Sequence, residues 1–214
     1  MCRLAIDLGV PIVSVPQLMD NAARKANDNP DFSHPFFEKV GEILRSGDKQ
    51  KIVDEKIPIK LLRLTPAAQE GSILIDYPYE LAEAELLEEF RGGLNAFVHV
   101  SLPDEVLVEI EESKVVCQDC GKHYYNKEVV SEEHGVRIEK HIPEDGHCFG
   151  CGSTNLAPGS DPMRFERELE IYASKKDDLL AFYNELGLLI DFEPRRGYED
   201  YEKLKRQIQY TIKH

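Results

Sequence analysis

An α/β fold, with a parallel sheet flanked by helices and a small cysteine-rich insertion, is predicted by three observations. Short β-branched apolar runs alternate with helix-period stretches, the order that builds parallel strands joined by crossover helices. Two Cys-x-x-Cys pairs, Cys117/Cys120 and Cys148/Cys151, interrupt that order once, with 27 residues between the pairs. At 214 residues, 42% apolar and 31% charged, the chain is long enough to bury one core with small inserts.

The elements follow in order. Residues 3–9 end a helix at Gly9. Val10 to Val15 is a buried strand by its apolar, β-branched run. A helix is predicted from Gln17 to Ala26, broken by Asn27-Asp-Asn-Pro30. Another runs from Pro35 to Leu44, with Phe36, Val40, Ile43 and Leu44 on one face and a stop near Gly47. Residues 55–69 are helical, confined by Pro58 and Pro66. Gly71 to Pro78 holds a second buried strand, Glu80 to Phe90 a helix ended by Gly92-Gly93, and Ala96 to Ser101 a third strand. Pro103, Asp104 and Glu105 open a helix that reaches Ser113. Within the cysteine-rich segment, Val129-Val130, a Glu132-Glu-His-Gly135 turn and Val136-Arg-Ile138 predict a hairpin. One long helix follows Pro162 and ends near Gly187, with Phe165, Leu169 and Tyr172 as a core stripe. Leu188 to Phe192 is a fourth strand, and Tyr198 to His214 a terminal helix.

Forty acids against 26 bases give a net charge of −14. Such a surface repels a phosphate backbone, so no nucleic-acid partner is expected. No run of 18 apolar residues is present, so no transmembrane segment is expected. The opening residues lack the look of a secretory signal or a transit peptide.

Both cysteine pairs have two-residue spacing and are followed by glycine, Gly121 and Gly152. That spacing turns two sulfurs onto one cation, and two such knuckles supply a closed four-thiolate shell. Disulfides would need an oxidising compartment, and an iron–sulfur cluster is the sharper rival. The ribbon-like spacing favours structural zinc on Cys117, Cys120, Cys148 and Cys151, with no open position for substrate. His123, His134, His141 and His147 are read as surface residues, and Cys2 is left over.

At this point several stretches resemble the adenylate kinase family in its long, zinc-lid form. They are Leu8-Gly-Val-Pro-Ile-Val-Ser14, Gly71 through Glu85, Cys117-Gln-Asp-Cys-Gly-Lys-His-Tyr124, Leu169-Glu-Ile-Tyr172 through Phe182-Tyr183, and Gly187-Leu-Leu189. The likeness covers nearly the whole chain. It implies a P-loop-kinase-like core over 1–14, 63–114 and 158–214, a helical monophosphate-binding-like segment over 15–62, and a zinc lid over 115–157. It also exposes departures. The family's opening strand and Gly-Lys phosphate loop have no counterpart in these residues, so the first central strand is expected to be missing. Where the family carries a magnesium-side acid, a monophosphate-gripping arginine and a base-reading glutamine, this chain has Ile75, Tyr79 and Glu83. The family's threonine and following arginine align with Val15 and Asp20. Its lid arginines fall on Ile110, Lys114-Val115, Ala157 and Glu168, with Arg164 and Arg167 close by.

Phosphoryl transfer rests on positioning and dense positive charge. No catalytic or cofactor-binding residues are therefore expected, and nucleotide binding is expected to be weak or absent. The implied function is a catalytically inactive, kinase-shaped accessory subunit of a large protein assembly, set in a mitochondrial respiratory complex or else in the cytoplasm or a cilium. Its expected partners are other protein subunits. The alternatives are a nucleoside monophosphate kinase, turning ATP and AMP into two ADP, whose N-terminus is truncated, or a non-catalytic nucleotide sensor.

Overall fold

The computed structural model describes residues 3–28, 35–47, 51–52, 56–89 and 92–213. Cys2, Phe90, His214 and the Asn29-Pro30 break lie outside them. The described residues gather into two compact units, 1–94 and 95–214.

In the first unit, α1 (Arg3–Leu8) ends at Gly9, whose φ of +68° suits a residue without a Cβ. Strand β1 (Ile12–Ser14) is shorter than predicted, because Val15 already starts α2 (Val15–Asp28). Helix α3 (Pro35–Ser46) stops at Gly47 as predicted. The two prolines divide the next helical stretch into α4 (Ile57–Arg63) and α5 (Pro66–Glu70), each with proline in its first turn, where a missing N–H costs nothing. Strand β2 (Ile73–Ile75) and α6 (Leu81–Glu88) complete the unit.

Two apolar clusters hold this unit. Val13, Val15, Ile59, Leu62 and Leu87 pack between the strands and the helices behind them. Ala22, Val40, Ile43, Ile57 and Leu61 seat the faces of α2, α3 and α4, with Phe36 and Leu44 against them. Strand β2 is not the buried strand its composition suggests: Ile73 and Leu74 are half-buried and Ile75 is exposed.

The second unit opens with β3 (Phe97–Val100) and α7 (Asp104–Glu112). The cysteine-rich segment contributes β4 (Lys114–Cys117), β5 (His123–Tyr125), β6 (Val129–Ser131), β7 (Val136–Ile138) and β8 (Leu156–Pro158). Then come α8 (Pro162–Ala173), α9 (Lys176–Glu185), β9 (Leu189–Phe192), a 3-10 turn over Gly197–Asp200 and α10 (Tyr201–Lys213). The single long helix predicted after Pro162 is thus two. At the break the Ser174 hydroxyl donates back to the Ile171 carbonyl at 2.7 Å, and Lys175 leaves helical geometry at φ −122°. Phe165, Leu169 and Tyr172 are half-buried, and α8 has no fully buried residue, so the stripe is not a core stripe. The core lies instead at Leu179, Tyr183, Ile190, Phe192 and Ile208, with Phe97 stacked on Tyr183 at 4.2 Å.

The architecture is α/β with parallel sheet segments. Strands β1 and β2 pair in parallel, as do β3 and β9. Ile73 N–H donates to Pro11 C=O, so Ile73 and Ile75 turn their backbones to β1 and Leu74 turns away. Phe97 N–H donates to Leu188 C=O and Ser101 N–H to Phe192 C=O, so Val98 and Val100 turn away from β9. Among the described residues, β2 and β3 each have one strand neighbour and one open edge.

Candidate metal centre

Strand β4 lies between β5 and β8, both antiparallel to it. Its last residue is Cys117, which therefore starts a turn from a fixed strand end. The turn closes by two backbone bonds: Cys117 N–H donates to Lys122 C=O at 2.9 Å, and Gly121 N–H donates to Cys117 C=O at 2.8 Å. The second pair repeats this pattern. Cys148 N–H donates to Ser153 C=O at 2.7 Å, and Gly152 N–H donates to Cys148 C=O at 2.8 Å. Gly121 and Gly152 both occupy the left-handed region, at φ +71° and +76°, which is why a glycine follows each pair.

The two turns face one another. Cys117 Sγ lies 3.7 Å from Cys151 Sγ, and Cys120 Sγ lies 3.5 Å from Cys148 Sγ. All four sulfurs fall within 4.8 Å of one another. A tetrahedral shell with metal–sulfur bonds of about 2.3 Å sets its sulfurs about 3.8 Å apart, so these four could hold a metal ion. Cys117 and Cys148 are buried, and Cys120 and Cys151 are exposed. The structure thus brings together the four cysteines that the sequence spacing singles out.

Side chains unmarked by the spacing support the cluster. Asp119 accepts from the Ser153 hydroxyl and, at 3.2 Å, from Asn155 Nδ2, tying the first turn to the second. These bonds hold the Asp119 carboxyl below its ordinary range. Tyr124, fully buried, brings its hydroxyl to 3.1 Å from Cys148 Sγ and accepts the Phe149 N–H at 2.8 Å. That hydroxyl contact lowers the Cys148 thiol to about 6. Burial first, and then Cys148, raises Tyr124 itself to about 12. Neither Asp119 nor Tyr124 belongs to the Cys-x-x-Cys pattern, and no periodicity in the sequence marks either.

The histidines are not all surface residues. His123 and His147 are exposed, but His134 and His141 are half-buried. His141 sits among Tyr124, Phe149 and Tyr198, with ring centroids 5.2 to 5.9 Å away. Burial lowers its imidazole below the ordinary value.

Three of the positions that depart from the resemblance, Ile75, Tyr79 and Glu83, lie in and just after β2. Tyr79 is exposed, and its N–H donates to Glu83 Oε2 at 2.7 Å. Ile75 is 40% exposed. From the end of β2 to the first turn of α6 the chain thus presents an apolar side chain, a phenol and a carboxylate, with Asp76 and Glu80 between them in sequence.

No protein-family profile matches the chain. It is similar to a protein named adenylate kinase from Archaeoglobus fulgidus, at 25% identity over 98% of this chain and 89% of that protein. A potato (Solanum tuberosum) protein of the same name is 29% identical over 94% of this chain and 69% of that protein. One from Streptococcus thermophilus is 22% identical over 92% and 86%.

Proposed function

We propose that the chain, similar over nearly its whole length to proteins named adenylate kinase, is a catalytically inactive member of that family, a structural accessory subunit of a larger protein assembly whose lid is stapled by zinc. One observation carries the reading: the Tyr79 amide held by the Glu83 carboxylate at 2.7 Å. In the resemblance those two positions belong to an arginine that grips a phosphate and a glutamine that reads a base. Here they give a phenol and a negative charge, on a loop that already bears Asp76 and Glu80. A phosphate approaching it meets repulsion and no guanidinium, and loss of one such arginine alone costs about 1,000-fold or more in phosphoryl transfer.

Zinc is the cation we assign to Cys117, Cys120, Cys148 and Cys151, because a closed set of four thiolates suits it and leaves no place for substrate. The metal then acts as a cross-link between two turns distant in sequence. Assembly with other protein subunits is supported by the edges of β2 and β3 left open among the described residues, whose backbone N–H and C=O groups can accept an added strand. The setting we favour is mitochondrial. Nucleotide is weakly held or not held at all in this reading.

Two measurements test it. The zinc-loaded chain, assayed for ADP formation from ATP and AMP, is expected to show no turnover above background, and robust turnover would overturn the reading. Affinity isolation from native extract is expected to recover the chain within one large complex. A second reading, a working nucleoside monophosphate kinase, is favoured by the likeness to proteins named adenylate kinase over nearly the whole chain. It predicts turnover in the first assay and recovery as a free protein in the second.

A further inference from the structure

We propose that Tyr124 is a positioning residue for the metal centre, its buried hydroxyl donating to Cys148 Sγ and so fixing which sulfur anchors the ion. The inference rests on reading the cysteine cluster as a metal site. A phenol has one proton to donate and lone pairs to accept with. The Phe149 N–H, 2.8 Å from the Tyr124 oxygen, can only donate, so it takes a lone pair. The proton of the hydroxyl is left to point at Cys148 Sγ, 3.1 Å away. Tyr124 is 0% exposed, so water does not compete for that proton.

Cys148 Sγ also receives the Gly150 N–H at 3.3 Å. It is the sulfur with a side-chain donor from outside the cysteine set among the described residues. The other bond is a backbone contact, available to any sequence with this turn. Charge-assisted bonds to a thiolate are stronger than neutral ones, and they draw electron density from the sulfur. Cys148 thus becomes the oriented anchor, buried and held by two donors. Cys120 and Cys151, exposed at the other side of the cluster, become the ligands that yield first to a competing chelator.

The test uses the full chain loaded with Co2+ as a spectroscopic probe, comparing wild type with Tyr124→Phe. Removing one oxygen is expected to keep the far-ultraviolet circular dichroism and one metal per chain. The sulfur-to-cobalt charge-transfer band is expected to move to lower energy, and metal transfer to a chelator to become about 10- to 100-fold faster. A tyrosine that only fills space would leave the band in place, and an unmoved band with an unchanged transfer rate overturns the proposal. If the phenylalanine variant fails to fold, 3-fluorotyrosine placed at 124 supplies a stronger donor of nearly the same size. Its band is expected to move to higher energy, and no movement again overturns the proposal. A wild-type chain that takes up no metal would instead remove the metal reading itself.

Discussion

Lys114 Nζ lies 2.8 and 3.0 Å from the two oxygens of the Glu111 carboxylate, whose side chain is 9% exposed. The same carboxylate accepts the Asp161 N–H at 3.2 Å. One buried acid therefore joins the end of α7, the start of β4 and the approach to α8, where the cysteine-rich segment leaves and rejoins the chain. Replacing Glu111 with alanine strands a half-buried ammonium and a backbone N–H. The variant is expected to lose about 2 to 4 kcal/mol of stability in denaturant unfolding.

Metal removal should be local. The apolar cluster beneath the cysteines is small, comprising Val115, Cys117, Tyr124 and Cys148 with Ile142 and Leu156 against them, and two of its members belong to the four-cysteine group. A chelator is expected to abolish amide protection over residues 115–157 while α2, α3 and α4, which rest on separate clusters, keep theirs. Hydrogen exchange read by mass spectrometry checks this. Unchanged protection across the lid would contradict a staple.

Tyr77 makes a different prediction. Its hydroxyl is buried with no hydrogen-bond partner among the described residues. Burial, with Glu83 adding to it, pushes its ionisation far above the ordinary tyrosine value. Because the folded state holds this proton more tightly than the unfolded chain, its contribution is fully present below about pH 10 and is lost as pH rises above it. Tyr77→Phe removes an unsatisfied oxygen and is expected to raise stability by about 1 kcal/mol at neutral pH. It should also flatten the alkaline decline expected in thermal melts as pH rises above about 10.

Leu62 is 0% exposed and packs in the cluster shared by β1, α4 and α6. Leu62→Ala is expected to cost about 2 to 5 kcal/mol, read from the unfolding midpoint in denaturant. Val40, equally buried in the neighbouring cluster, offers a comparison in which fewer methyl groups are lost.

Much of this was legible in the sequence because certain residues act on the chain locally. Gly9 and Gly47 end helices by taking positive φ, and Pro58 and Pro66 fix where two others begin. The Cys-x-x-Cys pairs announce their turns because spacing and the following glycine define the geometry. Longer-range facts leave no such trace. The break between α8 and α9 rests on Ser174 bonding to its own helix, in a stretch whose composition suits a continuous helix. Strands β4, β5 and β8 are three or four residues long and mix lysine, histidine and proline with apolar residues, so no alternation reveals them. The half-burial of β2 and of the α8 stripe depends on what packs over them, which apolar composition alone does not specify. Asp119 meets Ser153 across 34 positions, and a polar pair at that distance carries no pattern.

Strands β2 and β3 each leave one rim unsealed, with Leu74, Val98 and Val100 aiming amide and carbonyl groups outward. Open strand edges favour pairing between copies, and a net charge of −14 opposes it by repulsion. Acidification that discharges the carboxylates withdraws this protection, so a concentrated preparation carried towards its isoelectric point will clump through those rims before it unfolds.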